Sequence, residues 1–126
     1  KVLEVGYECL AGAGVTKEKC KNAPISVFVG DCGTEWAYQL LVRRMNPEEL
    51  LGKPDVDWYS AQLLTTIGSR LSYTLGLRGP TFHCDTACSA GLTAFCTAMY
   101  TIRTAKNQQT IQSHLTGGLA GGVNQI

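Results

Sequence analysis

At 126 residues the chain has room for one domain of ordinary size and not for two. Hydrophobic residues make up 44% and charged residues 17%, enough to bury a core and unlike a disordered chain. Eleven Lys+Arg against ten Asp+Glu leave a net charge of +1, which argues against a nucleic-acid or anionic-membrane surface; no apolar stretch approaches the roughly 20 residues needed to cross a bilayer.

Taken in chain order, residues 1–12 place Val2, Leu3, Tyr7 and Leu10 on one face of a helix, which Gly12-Ala13-Gly14 ends. Residues 17–21 read as a short charged loop. Pro24 opens Ile25-Ser26-Val27-Phe28-Val29-Gly30, a buried strand stopped by Gly30-Asp31. Asp31 to Thr34 can turn and cap a helix over 35–44, and 46–57, with two prolines and a glycine, is a loop. From Ser60 the spacing of Leu63, Leu64, Ile67, Leu71 and Leu75 predicts a helix ended by Gly76 and Gly79-Pro80. A strand over 81–86 follows. The next helix, 88–104, would turn Leu92, Phe95, Cys96, Met99 and Ile102 inward. A polar loop over 106–113 leads to a glycine-interrupted strand over 119–126. This alternation points to an α/β domain with a largely buried sheet. Both ends fall inside apolar segments, Lys1 with no signal-peptide pattern and Ile126 with no polar tail, so a piece of a longer protein is expected.

Six cysteines stand at 9, 20, 32, 84, 88 and 96. With ample core residues and no secretory pattern they read as reduced thiols in a reducing compartment, with Cys9, Cys20 and Cys96 as buried small residues. His83, Cys84 and Cys88 are wrongly spaced for structural zinc, and no bound metal is expected. The glycine pairs at Gly12, Gly14 and 117–122 lack the strand–GxGxxG–helix order of a dinucleotide site. Trp36, Tyr38, Trp58 and Tyr59 suit a core or dimer surface, and Arg43-Arg44 with Glu48-Glu49 a solvated helix end.

The chemistry concentrates where a strand runs directly into a helix. The corner residue is Cys88, flanked by Ala87, Ser89, Ala90 and Gly91. Small neighbours allow a sharp turn and the approach of a bulky thioester. A thiol at a helix N-terminus has unpaired N–H groups and the positive dipole end beside it, which favours an ionised nucleophile. The same amides can bind a developing oxyanion, as in the strand–nucleophile–helix elbow of serine hydrolases. The residues alone leave Cys88 open between this role and one more buried small thiol.

Asp85-Thr86-Ala87-Cys88-Ser89 closely resembles the active-site motif of the β-ketoacyl synthases, the condensing enzymes of fatty-acid and polyketide assembly. Val27-Phe28-Val29-Gly30 is similar to a core strand of that family, and Leu3-Glu4-Val5 with Glu8 and Leu10 to its preceding helix. Ser69-Arg70-Leu71-Ser72-Tyr73 with Leu77-Arg78-Gly79-Pro80 looks like the approach to the nucleophile in modular polyketide synthases, and Gly121-Gly122-Val123-Asn124 like the strand that follows.

The resemblance implies a thiolase-like fold, a layered α/β arrangement with a mixed sheet, of which 1–126 is most of the N-terminal half. It implies that Cys88 is the nucleophile and its amide half of the oxyanion hole. The acyl chain would arrive on the phosphopantetheine of an acyl carrier protein, or on coenzyme A, with no resident cofactor. A malonyl-type extender would lose CO2 and its carbanion would attack the Cys88 thioester. The strand 81–86 would pair across a homodimer two-fold, and the protein would work in the cytoplasm or in an organelle such as a plastid. In the family two histidines and a lysine of the C-terminal half drive decarboxylation. The histidines here, His83 on the strand before Cys88 and His114 in a polar loop, match neither, so this piece alone would be acylated and not condense, and would be poorly soluble. Ala90-Gly91 departs from the serines that usually follow Cys-Ser. Other readings are a gating or chain-holding relative, another thiolase-fold acyltransferase, or a structural module in which Cys88 is unreactive.

Overall fold

A computed structural model describes residues 1–32, 64–105 and 115–124. The helix and loop expected within 35–57 and the polar loop over 106–113 lie outside the described residues, as do Trp36, Trp58 and His114.

The chain begins with helix α1 (Val2–Gly12) and a single helical turn, α2 (Lys17–Cys20). Strand β1 (Ile25–Cys32) follows, then helix α3 (Leu64–Leu75), strand β2 (Thr81–Cys84), helix α4 (Ala90–Ala105) and strand β3 (Gly117–Asn124). The short charged segment at 17–21 is thus a helical turn rather than a loop. Glu18 fits its first turn, where hydrogen bonds accepted from the backbone and from Thr16 lower its carboxyl pKa.

Glycine ends two of the helices in the same way. Gly14 (φ +79°) and Gly76 (φ +68°) take left-handed conformations. Val15 N–H then reaches the Leu10 carbonyl and Leu77 N–H the Ser72 carbonyl, both at 2.9 Å. These are Schellman closures, which L side chains strain to adopt.

The sheet has the order β2-β1-β3. Both neighbours run parallel to β1, so the described sheet is parallel where a mixed one was expected. The cause is the connectivity: α3 leads into β2, and α4 carries the chain from β2 past β1 to β3, so each described strand starts from the same end. Nor is the sheet buried throughout. β1 is covered on both faces, whereas β2 exposes Thr81 and Phe82 and β3 exposes several glycines. Strand β1 also runs beyond the expected stop at Gly30-Asp31. Pairing of Asp31 with Val123 and Cys32 with Asn124 carries the ladder on, and Asp31 is fully buried in the strand rather than turning.

Alternation along β1 builds two cores. Ile25, Val27 and Val29 pack with Leu10, Cys20, Leu71, Leu75 and Leu77 under α1, α2 and α3. Gly6 sets the approach of α1: a Cβ there would stand 2.7 Å from a Leu71 methyl. On α1, however, Leu3 and Tyr7 are exposed, and the expected inward face reduces to Gly6 and Leu10 with Val2 half-buried. On the other face Phe28 packs with Cys84, Ala94 and Ala98, and its ring lies 6.1 Å from that of Phe82.

Candidate active site

The segment that carries Cys88 is built from β2, a five-residue elbow and α4. One cross-strand row seats it. Gly30 pairs with Cys84 on one side and with Gly122 on the other. All three face the first turn of α4. A Cβ on Gly30 would lie 2.2 Å from the carbonyl carbon and oxygen of Ala90, and one on Gly122 would lie 3.0 Å from Cα of Gly91. Only backbone-to-backbone contact fits there. The Cys84 thiol donates to the Ala90 carbonyl at 3.5 Å, and burial pushes that thiol above its ordinary pKa, with the Asp85 charge adding to the shift. Cys84 is therefore a buttress and poorly suited to act as a nucleophile.

Above this row the chain turns sharply at Ala87, whose φ of +53° lies in the left-handed region. Such a conformation costs an L residue roughly 1–2 kcal/mol, so something must hold it. The Asp85 carboxylate accepts the Ala87 N–H at 3.0 Å, an Asx turn. The Ala90 N–H reaches the Ala87 carbonyl at 3.0 Å, and the Ser89 hydroxyl donates to the Thr86 carbonyl at 2.7 Å. Ser89 Oγ also lies 3.0 Å from Thr86 Oγ1, which in turn lies 3.0 Å from Thr93 Oγ1. The first helical hydrogen bond of α4 runs from Thr93 N–H to the Ser89 carbonyl at 2.9 Å. Ser89 is thus the N-cap, and Cys88 stands one residue before it. The expected helix start at Cys88 moves to Ala90 because the elbow needs residues 86–89 for its own turn. Cys88 is exposed at the tip of this elbow.

Of the residues of α4 expected to face inward, Ile102 is half-buried against Gly118 of β3, but the rest of the facing is reversed. Ala90, Ala94, Ala98 and Ala105 are buried, while Leu92 (67% exposed), Phe95 (54%) and Met99 (37%) lie opposite, with Cys96 beside them. Periodicity identifies an apolar stripe without saying which of two stripes meets the sheet. Here the glycines of β1 and β3 demand close approach, so the alanine stripe docks and the larger side chains face away.

Among the thiols expected to be buried, only Cys20 is so; Cys9 and Cys96 are exposed. Burial, with a lesser contribution from Glu18, raises the Cys20 thiol as well. His83 alternates to the face opposite Phe82 and Cys84 and is half-buried; its Nε2 is buried without a hydrogen-bond partner among the described residues. It does not join the elbow. No group of three or more His, Cys, Asp or Glu able to hold a metal occurs among the described residues, and no described helix is long and apolar enough to cross a membrane. An apolar groove of about 180 Å³ lies between α1 and β3, lined by Val2, Val5, Leu71, Leu119 and Val123; Cys88 is not part of it.

Sequence reasoning located Cys88 and its small neighbours but missed the Thr86–Ser89–Thr93 hydroxyls and the Cys84–Gly30–Gly122 row. The signal was present in part: Thr93 lies five residues after Cys88 in the first turn of a mostly apolar helix, and Gly30 and Gly122 each interrupt an apolar strand segment.

Residues 1–124 match the family described as Beta-ketoacyl synthase, N-terminal domain. The chain belongs to the β-ketoacyl synthase family. A thiolase-like α/β fold follows from that membership, and three parallel strands between α1 with α3 and α4 agree with part of it. The chain is similar to the spectinabilin polyketide synthase system protein NorC of Streptomyces orinoci, at 33% identity over 97% of this chain and 5% of that protein. It is similar to the highly reducing polyketide synthase cm3B of Cordyceps militaris, at 30% over 98% of this chain and 4% of that protein. It is also similar to the highly reducing polyketide synthase easB of Emericella nidulans, at 30% over 99% of this chain and 4% of that protein. This ketosynthase chain therefore spans only a small part of the curated relatives it matches.

Proposed function

We propose that Cys88 is the nucleophile of a polyketide-type ketosynthase and that residues 1–126 are the N-terminal, nucleophile-bearing portion of its domain. The observation that carries this reading is the elbow. Cys88 is an exposed thiol at a strained corner between a parallel strand and a helix, within a chain that matches the family along almost its whole length. In this reading the Cys88 thiolate attacks the carbonyl carbon of an acyl thioester carried by phosphopantetheine on an acyl carrier protein. The carrier thiol leaves and the acyl group remains on Sγ. The Cys88 N–H, next to the helix start, would meet the negative charge that develops on the carbonyl oxygen. A malonyl-type extender on a carrier protein then loses CO2, and its carbanion attacks the Cys88 thioester. The product is a β-ketoacyl chain two carbons longer and a free Cys88 thiol. The groups that promote decarboxylation belong elsewhere in the polypeptide.

We also propose a homodimer formed through β2. Its outer edge pairs with nothing among the described residues, and Phe82 is 43% exposed on it. The cytoplasm is the proposed site of action.

The test is stepwise. The intact protein is incubated with an acylated carrier protein, followed by intact mass and then a malonylated carrier with CO2 release as readout. The reading expects one acyl group per chain, abolished by Cys88→Ala, and CO2 release that depends on it. Loading that persists in Cys88→Ala would overturn the assignment. Loading without any condensation would mark a chain-holding relative instead.

A further inference from the structure

The elbow is held almost wholly by bonds within residues 85–90, which can loosen together. One tie among the described residues runs from its first limb to the body of α4: the contact between Thr86 Oγ1 and Thr93 Oγ1. Thr93 is well placed to anchor it. Its N–H and carbonyl are both engaged in the helix ladder and by the Thr97 hydroxyl, which donates to the Thr93 carbonyl at 2.8 Å, and its neighbour Ala94 is fully buried against the sheet. Ser89 has one hydroxyl proton, and the Thr86 carbonyl at 2.7 Å is its closer acceptor. The same Ser89 hydroxyl also reaches Thr86 Oγ1 at 3.0 Å, and Thr86 Oγ1 shares a hydrogen bond with Thr93 Oγ1 in which either hydroxyl can donate. Thr93 is the terminal member of a three-hydroxyl chain whose far end closes on the backbone carbonyl two residues before Cys88.

We propose that Thr93 is a positioning residue that acts through Thr86 and Ser89 to hold the left-handed turn at Ala87, and with it Cys88, in the geometry that accepts an acyl group. The proposal rests on Cys88 being the acyl acceptor. It distinguishes two properties of the thiol. Capture of a small electrophile needs only an accessible Sγ. Acyl transfer also needs the sulfur and the oxyanion-binding amide to be in fixed relation, and misplacement of that pair is costly.

The experiment uses the intact protein and two probes on Cys88: iodoacetamide, and a short acyl thioester of N-acetylcysteamine, each followed by intact mass and peptide mapping. Thr93→Val, which keeps the branched shape and removes the hydroxyl, should slow acylation about tenfold. Alkylation by iodoacetamide should stay within about twofold and the melting temperature within about 2 °C. Thr93→Ser, which keeps the hydroxyl, should restore acylation. Should Thr93→Val fail to fold, Thr86→Val removes the middle hydroxyl from an exposed position and should give the same split. Unchanged acylation in these variants, an equal loss of both rates, or no rescue by serine would overturn the proposal. If the unaltered protein is alkylated on Cys88 but never acylated there, with Cys88→Ala as the control, the functional reading fails and this proposal falls with it.

Discussion

Cys84 and Cys88 lie four residues apart in one segment, and almost everything about them differs. Cys84 sits in the row that supports α4, is buried, donates to the Ala90 carbonyl and has a raised pKa. Cys88 stands at the tip of the elbow, exposed, beside a residue held in the left-handed region. Residue type therefore says little about reactivity. What separates the two is the place of the turn: strand pairing and close backbone packing end at Cys84, and the chain leaves the sheet before it reaches Cys88. The lower region trades side chains for contact, and the upper one trades conformational comfort for exposure.

The largest expected effect comes from breaking the lower region. Gly30→Val places side-chain atoms where Ala90 backbone already stands, and should destabilise the intact protein by about 3 kcal/mol in denaturant or thermal melts. A change below about 0.5 kcal/mol would show that the row does not seat α4.

The upper region should respond to conformational preference instead. Ala87→Val puts a β-branched residue in the left-handed region and should cost about 1–2 kcal/mol, whereas Ala87→Gly should be neutral or stabilise by up to about 1 kcal/mol. Equal effects of valine and glycine would mean that the turn at Ala87 is not strained.

How much of this contrast was legible in the sequence follows from what each feature depends on. The strand β1, the helices α1, α3 and α4, and the corner at Cys88 come from local patterns of apolar and small residues, and these could be read. The extension of β1 through Asp31 and Cys32 depends on pairing with β3, some ninety residues away, which no local pattern records. The facing of α4 depends on Gly30, Gly118 and Gly122 in other strands, because Leu92 and Phe95 look like core until the sheet is known to require alanine. The hydroxyl chain needed the left-handed turn to bring Thr86 back toward Thr93.

Smaller effects sharpen the comparison through ionisation. Folding holds the Cys84 and Cys20 protons more tightly than the unfolded chain does, because burial disfavours their thiolates. Their contribution to stability is complete below the ordinary thiol value of 9.0 and is lost as pH rises through the higher folded values. Melting temperature should thus decline above about pH 9, and less so in Cys84→Ala. A decline of the same size in that variant would remove Cys84 from the account. Smallest of all, Gly12→Ala, where a Cβ meets nothing within 4 Å, should raise stability by up to about 1 kcal/mol.

The central claim is that the elbow makes Cys88 the acyl acceptor among six cysteines. The most direct measurement is peptide mapping of the intact protein after brief exposure to an acyl thioester at neutral pH. The account predicts acyl label on Cys88 alone, with Cys84 and Cys20 unmodified and with exposed Cys9 and Cys96 lagging far behind. Label spread over Cys9, Cys88 and Cys96 in proportion to exposure would contradict it, because accessibility and not the elbow would then set the chemistry.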